Sequence, residues 1–260
     1  MSVLARFGFA LTGLLLVVAC GPPALEGSRL TVFAASSLTG VMGDLTDSFG
    51  ERPWADLTVS TGSSAALRTQ IEQGAPADVF LSADVTNPHA LVDAGLTEGG
   101  ISEFASNSLV IVVPEGNPAA IISPADLARD GIKIIAAGDD VPITRYAAEV
   151  VNGLSEVPGY PPNFAAAYEA NVVSREESVA AVTSKIALGE GDAAIAYASD
   201  ARGSALTTIE LPSDVNVVAE YGGVVLASSG NRAAARDFLA WLVSVNGQVV
   251  LETNGFGRPR

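Results

Sequence analysis

The sequence predicts an α/β protein of two lobes, with mixed, mostly parallel sheets that carry helices on both faces. From Leu30 onward, short apolar runs alternate with segments whose apolar residues recur at helical spacing. Runs such as Leu109–Val113 are rich in β-branched residues and lack polar positions, as expected of strands buried on both faces. One continuous sheet would need more strands in steady alternation with helices than the chain supplies, so two lobes fit the pattern better.

The individual elements follow from these runs in chain order. The N-terminal part is predicted to contain strands at Leu30–Ala35, Leu57–Ser60, Asp78–Ser82 and Leu109–Val113, and helices at Leu38–Phe49, Ala65–Gln73 and Pro88–Ala94. The remainder is predicted to contain strands at Ile132–Ala137, Ala193–Tyr197, Val215–Val218 and Val224–Ala227, and helices at Pro124–Arg129, Thr144–Asn152, Ser178–Leu188, Ala233–Val243 and Gln248–Thr253.

Two crossing strands, Ser106–Val113 and Glu220–Ala227, are predicted to join the lobes. The chain would leave the first lobe, build the second, and return to complete the first with its last two helices. Lobe I is therefore assigned to residues 29–107 and 224–260, and lobe II to residues 108–223.

The charge and the residue counts exclude several classes of site. The formal net charge is −15 with only 14 Lys and Arg residues, whereas nucleic-acid binding needs clustered basic side chains. One cysteine, Cys20, and one histidine, His89, leave no internal disulfide and no Cys/His zinc site. A Ser-His-Asp triad would have to use His89, which follows a predicted surface turn. We expect a monomer without catalytic residues, a cofactor, a bound metal cation or a nucleic-acid partner.

Residues 1–20 predict export. The apolar stretch Phe7–Val18 is shorter than the roughly 20 residues needed to span a bilayer, and Gly-Pro-Pro after residue 20 stops any helix. Residues 1–19 are therefore predicted to be a signal peptide. Their junction with Cys20, VVAC, resembles a bacterial lipobox, which implies lipidation of Cys20, a tether over residues 20–29 and an anchor on the outer face of the cytoplasmic membrane. A plain signal peptide with an incidental cysteine is the alternative.

A serine pair stands at the helix start in each of the first two strand–helix units. Ser36 and Ser37 follow the first strand, and Ser63 and Ser64 follow the second. A helix start exposes unpaired N–H groups and partial positive charge, so added hydroxyls make an anion site without Lys or Arg. N-capping alone explains a single serine at such a position. The surplus hydroxyls in both units favour an anion site, and neutral donors would let an acidic protein hold an oxyanion.

The chain resembles the molybdate-binding proteins of bacterial ABC import systems over nearly the whole mature sequence. The matching segments are FAASSLT (Phe33–Thr39), STGSSAALRTQIEQGAPADVFLSAD (Ser60–Asp84), NSLVIVVP (Asn107–Pro114), VPITRYAAE (Val141–Glu149), EESVAAV (Glu176–Val182) and AIAYASDA (Ala194–Ala201). The resemblance implies a type II periplasmic-binding fold of two α/β lobes and two hinge strands, with the ligand in the cleft between them. It also implies delivery of the ligand to an ABC permease and its ATPase.

Five ligand positions carry over from the resemblance. It implies that Ser37 and Ser64 donate hydroxyl hydrogen bonds, that Ile143 and Val179 donate backbone N–H groups, and that the Tyr197 hydroxyl completes the site. A related group of tungstate and molybdate binders has a carboxylate immediately before the tyrosine, where this chain has Ala196. That difference favours a four-coordinate oxyanion held only by hydrogen bonds.

Other interpretations remain open from the sequence. The same fold could bind tungstate, sulfate or an organic anion. A serine nucleophile in an exported enzyme would need His89 as its base, and a lipoprotein could serve a scaffolding or sensory role without a transporter. Asp78 and Asp84 could be metal or acid–base carboxylates, although a capping or turn role fits an anion site better.

Overall fold

The computed structural model describes residues 28–50 and 55–260; the predicted signal peptide and Cys20 lie outside them. The strands are β1 (Ser28–Ala35), β2 (Ala55–Gly62), β3 (Val79–Ser82), β4 (Ser102–Pro114), β5 (Ile134–Ala137), β6 (Val172–Glu176), β7 (Ala194–Tyr197), β8 (Leu206–Glu210) and β9 (Val218–Val225). The helices are α1 (Thr39–Gly50), α2 (Ser64–Glu72), α3 (Thr86–Asp93), α4 (Pro142–Glu156), α5 (Phe164–Ala170), α6 (Val179–Ala187), α7 (Ala198–Ala201), α8 (Arg232–Leu242) and α9 (Val245–Thr253), with 3₁₀ turns at Ser36–Leu38 and Pro124–Ala128.

The first part of the main sheet is formed by β2, β1 and β3, which pair in parallel. Their apolar runs are buried, as parallel strands covered by helices must be. Helices α1, α2 and α8 contact these strands, and α9 packs on α1. Helix α8 buries Phe238 and Trp241 at i,i+3 spacing, and both rings meet Phe49 of α1 with centroid distances of 5.0 and 5.2 Å.

The second part is formed around β4, whose C-terminal half pairs antiparallel with β7 and β8. A smaller parallel pair, β5–β6, lies beside β7 through a bridge between Ile134 and Ala193. Helix α6 contacts β4, β5, β6 and β7, and helix α4 contacts β5 and β7. The buried face of α4 includes Ile143, Tyr146 and Val150, spaced three and four residues apart.

Two strands cross between these parts, as predicted. Strand β9 pairs antiparallel with β3 on one side and with the N-terminal half of β4 on the other. The main sheet therefore runs in the order β2-β1-β3-β9-β4-β7 without a break, with β8 attached to β4. The predicted lobe boundaries, 107/108 and 223/224, fall inside β4 and β9.

The structure corrects several details of the sequence prediction. Val215–Val218 and Val224–Ala227 are not two strands, because Val215 lies in a turn and the single strand β9 runs through Gly222 and Gly223. The sheets are mixed but not mostly parallel: four of the seven strand pairings among the described residues are antiparallel, because β4 and β9 pair antiparallel with every neighbour. Strands β6 and β8 and helices α5 and α7 were not predicted, and the predicted Pro124–Arg129 helix is a 3₁₀ turn.

Within residues 28–50 and 55–260, no helix is both long and apolar enough to span a membrane.

Candidate functional site

A cleft of about 520 Å³ lies between the two parts of the fold. Its first wall comes from the start of α2 and from the segment that enters α3; its second comes from the start of α4 and the segment before α6. The residues that line the cleft include Ser63, Arg68, Asp84, Asn87, Val141, Pro142, Arg145 and Glu177. The starts of α2 and α4 thus face one cavity, and their leading N–H groups have no partner within their own helix.

Ser64 is the first residue of α2 and is 1% exposed. Its neighbour Ser63 is the N-cap and accepts a hydrogen bond from Ala66 N at 3.1 Å. Ser64 is therefore not needed for capping. Its Oγ accepts from Ala83 N at 3.1 Å, which ties it to the end of β3 and leaves its own proton free to donate.

Ser37 lies in the 3₁₀ turn after β1 and is buried. The Tyr221 hydroxyl on β9 donates to Ser37 Oγ at 2.9 Å. Burial holds the pKa of Tyr221 well above its usual value, so this hydroxyl keeps its proton and remains a donor. The Ser37 side chain is thus connected directly to a crossing strand.

Tyr197 ends β7 and is 1% exposed. Its ring meets those of Tyr221 and Tyr146 edge-on, at centroid distances of 5.7 and 6.5 Å. Its hydroxyl is buried and has no hydrogen-bond partner among the described residues. Burial, with Tyr221 and Tyr146 nearby, raises the pKa of Tyr197 well above its usual value. The group is a neutral, unused donor.

Ile143 and Val179 occupy the first turns of α4 and α6. Their side chains are each 2% exposed and belong to the core. Ile143 follows Pro142, which has no N–H, and Val179 follows the N-cap Ser178, whose Oγ accepts from Ala181 N at 3.3 Å. Both backbone N–H groups stand at leading helix positions that lack intrahelical partners.

The five predicted ligand positions are not all brought together by direct contacts. Ser37 and Tyr197 are linked through Tyr221. Sequence neighbours of Ser64 and Ile143 line the cleft, whereas the side chains of Ser64, Ile143 and Val179 do not. The Ile143 side chain instead lines a separate cavity of about 250 Å³ on the far side of α4.

Sequence reasoning missed two cleft arginines, Arg68 on α2 and Arg145 on α4. Each is paired with a carboxylate one turn along its own helix: Arg68 with Glu72 at 3.3 Å and Arg145 with Glu149 at 3.4 Å. The Arg145 guanidinium also lies 4.3 Å from the centroid of the Tyr146 ring. Spacing of four residues signals such pairs, but nothing in the sequence indicates that both arginines face one cleft.

Another cavity, of about 220 Å³, lies next to the 3₁₀ turn that carries Ser37. Ser37 and Thr39 from the first part of the fold, Thr183 of α6 and Asp200 of α7 all line it. Burial raises the pKa of the Asp200 carboxyl to about 8, although a hydrogen bond from Tyr197 N acts in the opposite direction. This cavity brings the start of α1 opposite the first turn of α6.

The two candidate carboxylates of β3 and its flanks have structural partners. Asp84 Oδ1 accepts from Asn87 N at 3.0 Å, in the first turn of α3, although the N-cap residue of that helix is Val85. Asp78 accepts from Thr31 N at 2.8 Å and from Ser229 Oγ at 2.6 Å. Within the described part of the chain, no group of three or more His, Cys, Asp and Glu side chains could hold a metal ion. His89 is exposed on α3.

Comparison with known proteins decides the family. The sequence profile of the family described as bacterial extracellular solute-binding protein matches residues 30–257. The chain belongs to this family of solute-binding proteins. This solute-binding protein is 34% identical over 255 residues to the molybdate-binding protein ModA of Mycobacterium tuberculosis strain H37Rv, covering 94% of this chain and 93% of that protein.

Two solved structures share the fold of this solute-binding protein at 22% identity. The periplasmic molybdate-binding protein of Azotobacter vinelandii superposes with a TM-score of 0.76, covering 89% of this chain and 100% of that one. The sulfate-binding protein SubI of Mycobacterium tuberculosis H37Rv also has a TM-score of 0.76, covering 89% and 87%. The two-lobed binding-protein fold expected from the sequence is thereby confirmed.

Proposed function

We propose that this protein captures molybdate outside the cytoplasm and delivers it to the permease of an ABC importer. The ligand would lie where the helix starts of the two lobes converge, held by the hydroxyls of Ser37, Ser64 and Tyr197 and the backbone N–H groups of Ile143 and Val179. Support comes from the 34% identity to a molybdate-binding protein and from the donor chemistry of this region. Tungstate has nearly the same size and shape and is the alternative ligand.

The observation that carries the proposal is the buried Tyr197 hydroxyl without a partner among the described residues. A buried polar group without a hydrogen-bond partner costs about 1–3 kcal/mol. Such a group therefore calls for an explanation, and a bound ligand that accepts its hydrogen bond provides one. A fully deprotonated oxyanion accepts hydrogen bonds and offers none. It therefore suits a region whose free groups are hydroxyl protons and helix N-terminal N–H groups.

Neutral donors reconcile anion capture with the net charge of −15. The two arginines of the cleft already face their own carboxylates, so the proposed site uses dispersed dipoles instead of a full opposite charge. In a closed cleft of low dielectric, such dipoles interact strongly with the anion.

The proposal is tested by alanine substitution of the two ligand serines. Because a hydrogen bond to a charged group contributes about 1.5–3 kcal/mol, Ser37→Ala and Ser64→Ala should each weaken molybdate binding by roughly 10- to 150-fold in titration calorimetry. Ser123→Ala is the matched control: it removes a serine hydroxyl that bonds to Asp126 at the 3₁₀ turn Pro124–Ala128, away from the site, and should leave molybdate affinity near that of the wild type. Unchanged affinity in both ligand-serine variants would refute the site.

An anion panel separates the candidate ligands. Molybdate and tungstate should bind to the wild-type protein and displace each other, and sulfate, being smaller, should bind more weakly. The likeness to a sulfate-binding protein in fold makes sulfate the second candidate. A preference for sulfate in the same titrations would reject molybdate as the ligand and retain the oxyanion site.

The role is capture without turnover. His89, the only histidine in the sequence, is exposed on α3 and does not line the cleft, so it offers the helix-start serines no base. We further propose that the protein acts as a monomer, is exported by residues 1–19 and is held at the outer face of the cytoplasmic membrane by lipid on Cys20, where the permease and its ATPase would receive the ligand.

A further inference from the structure

The amide of Asn107 stands at the head of a chain of hydrogen bonds that ends at Ser37. Asn107 Nδ2 donates to the Tyr221 hydroxyl at 3.4 Å and to Ser199 Oγ at 2.7 Å. The Tyr221 hydroxyl in turn donates to Ser37 Oγ at 2.9 Å. Asn107, Tyr221 and Ser37 are 2%, 0% and 6% exposed, so water does not compete for these groups.

The direction of this chain follows from the orientation of the Asn107 amide, whose Nδ2 faces both hydroxyls. An amide nitrogen can donate but cannot accept, so the Tyr221 oxygen receives from Asn107 and its proton must point elsewhere. That proton meets Ser37 Oγ and occupies a lone pair there. The only proton of Ser37 is then free to point away from Tyr221, toward the proposed ligand.

We propose that Asn107 and Tyr221 are positioning residues that hold the Ser37 hydroxyl as a donor toward the bound oxyanion. This inference rests on the proposed function and extends it to two residues that need not touch the ligand. Without them, the Ser37 hydroxyl could rotate and present a lone pair to the anion. With them, the site favours ligands that only accept hydrogen bonds.

The position of the two residues in the fold supports this role. Asn107 lies on β4 and Tyr221 on β9, the strands that cross between the two parts of the sheet and pair with each other. The Tyr221 ring is fixed by edge-on contacts with Phe104, Phe256 and Tyr197 at centroid distances of 6.0, 5.6 and 5.7 Å. Its hydroxyl therefore has little freedom to leave Ser37.

The orientation of the Asn107 amide decides in which direction the hydrogen bonds run. Donation by Nδ2 to both hydroxyls leaves Asn107 Oδ1 buried and without a partner among the described residues. The opposite orientation would let Oδ1 accept from Tyr221 and would reverse the chain, turning Ser37 away from the ligand. Loss of the amide therefore weakens anion binding if the proposed direction holds, and strengthens it if the chain runs the other way.

The test is a double-mutant cycle on the full chain, with molybdate affinity measured by calorimetry. Tyr221→Phe keeps the ring contacts and removes the donor to Ser37, so it should weaken binding about 2- to 10-fold, as expected for one neutral hydrogen bond. If Tyr221 acts through Ser37, the Tyr221→Phe/Ser37→Ala double variant should bind no more weakly than Ser37→Ala alone, within about twofold. Asn107→Leu should weaken binding in the same direction as Tyr221→Phe.

Controls separate positioning from a structural effect and from the choice of ligand. Tyr168→Phe removes a buried hydroxyl from α5, outside the site, and should leave affinity unchanged. Three results would overturn the positioning role of Asn107 and Tyr221 while leaving the proposed function intact. They are additive losses of affinity in the cycle, unchanged affinity in Tyr221→Phe, and tighter binding by Asn107→Leu. If the wild type prefers sulfate, the same cycle is measured with sulfate. Non-additive effects of Tyr221→Phe and Ser37→Ala on sulfate affinity would then support the positioning role, although molybdate is rejected as the ligand. A wild type that binds none of molybdate, tungstate and sulfate contradicts both proposals.

Discussion

Replacing Tyr197 by phenylalanine should stabilise the unliganded protein and weaken ligand binding at the same time. The substitution keeps the ring, which packs against Tyr221 and Tyr146, and removes only the hydroxyl that lacks a partner. A buried, unpaired hydroxyl costs about 1–3 kcal/mol, so the free energy of unfolding should rise by roughly 1 kcal/mol or more. For a chain of this size the melting temperature should rise by about 2–4 °C per kcal/mol.

Ligand binding should change in the opposite direction. Loss of a hydrogen bond to an anion corresponds to about 10- to 150-fold in affinity. At a molybdate concentration 1,000 times the wild-type Kd, the ligand stabilises the wild type by about 4 kcal/mol. A 100-fold weaker variant would gain only about 1.4 kcal/mol under the same conditions.

Thermal denaturation with and without molybdate measures both effects on one sample. Tyr168→Phe serves as the control for deletion of a buried tyrosine hydroxyl, and should leave the molybdate-induced shift unchanged. A Tyr197→Phe protein that melts earlier than the wild type when unliganded, and is stabilised equally by molybdate, would refute the assignment of this hydroxyl to the ligand.

Two further predictions concern acidity and location. Because the folded Asp200 carboxyl keeps its proton to a pKa of about 8 while its ordinary value is 3.8, its contribution to stability is fully present below about pH 4 and is lost as the pH rises toward 8. Asp200→Asn should therefore flatten the pH dependence of urea unfolding between pH 5 and 8, and an unchanged slope would contradict a carboxyl whose pKa is raised to about 8. Cys20→Ala should shift the protein from the membrane to the soluble fraction of cells, whereas retention in the membrane would contradict the lipid anchor.

Most of the fold could be predicted because its strands are continuous apolar runs. Strand β3 and the C-terminal half of β4 are buried and were found directly from the sequence. Strands β6 and β8 were missed because every position in them is half-buried or exposed, several of their residues are polar, and they lack an apolar run. Helix α5 was missed because it follows the proline-rich loop at residues 158–162.

The division of β9 into two predicted strands has a physical cause. Gly222 and Gly223 look like a break in the sequence, but they lie inside the strand, where neighbours approach closely. A Cβ at Gly222 would stand 2.9 Å from Ile101, and one at Gly223 would stand 3.0 Å from both Leu81 and Leu239. Glycine is present here for packing, which a single sequence cannot distinguish from a turn.

Part of the candidate site could be predicted because some donor groups follow from a residue's position at a helix start. Ser37 and Ser64 could be proposed because helix starts carry donors wherever they occur. Tyr221 and Asn107 could not, because their importance arises from contacts between β9, β4 and the first helix start, which are distant in sequence. Both residues lie in predicted crossing strands, and Asn107 also opens the matching segment NSLVIVVP, but neither fact indicates a role at the site.

The pairing of β9 with β3 also constrains when the protein can fold. Leu81 of β3 has no partner on that side until Gly223 has been synthesised, and the tail reaches β4 later still, where Ser106 and Gly257 exchange two backbone hydrogen bonds of 2.8 Å. Closing such long loops is slow, so the N-terminal segment stays incomplete while the rest of the chain emerges. The export proposed for this protein would benefit from this order of assembly, because the chain stays incompletely folded until its C-terminal strands and tail have been made.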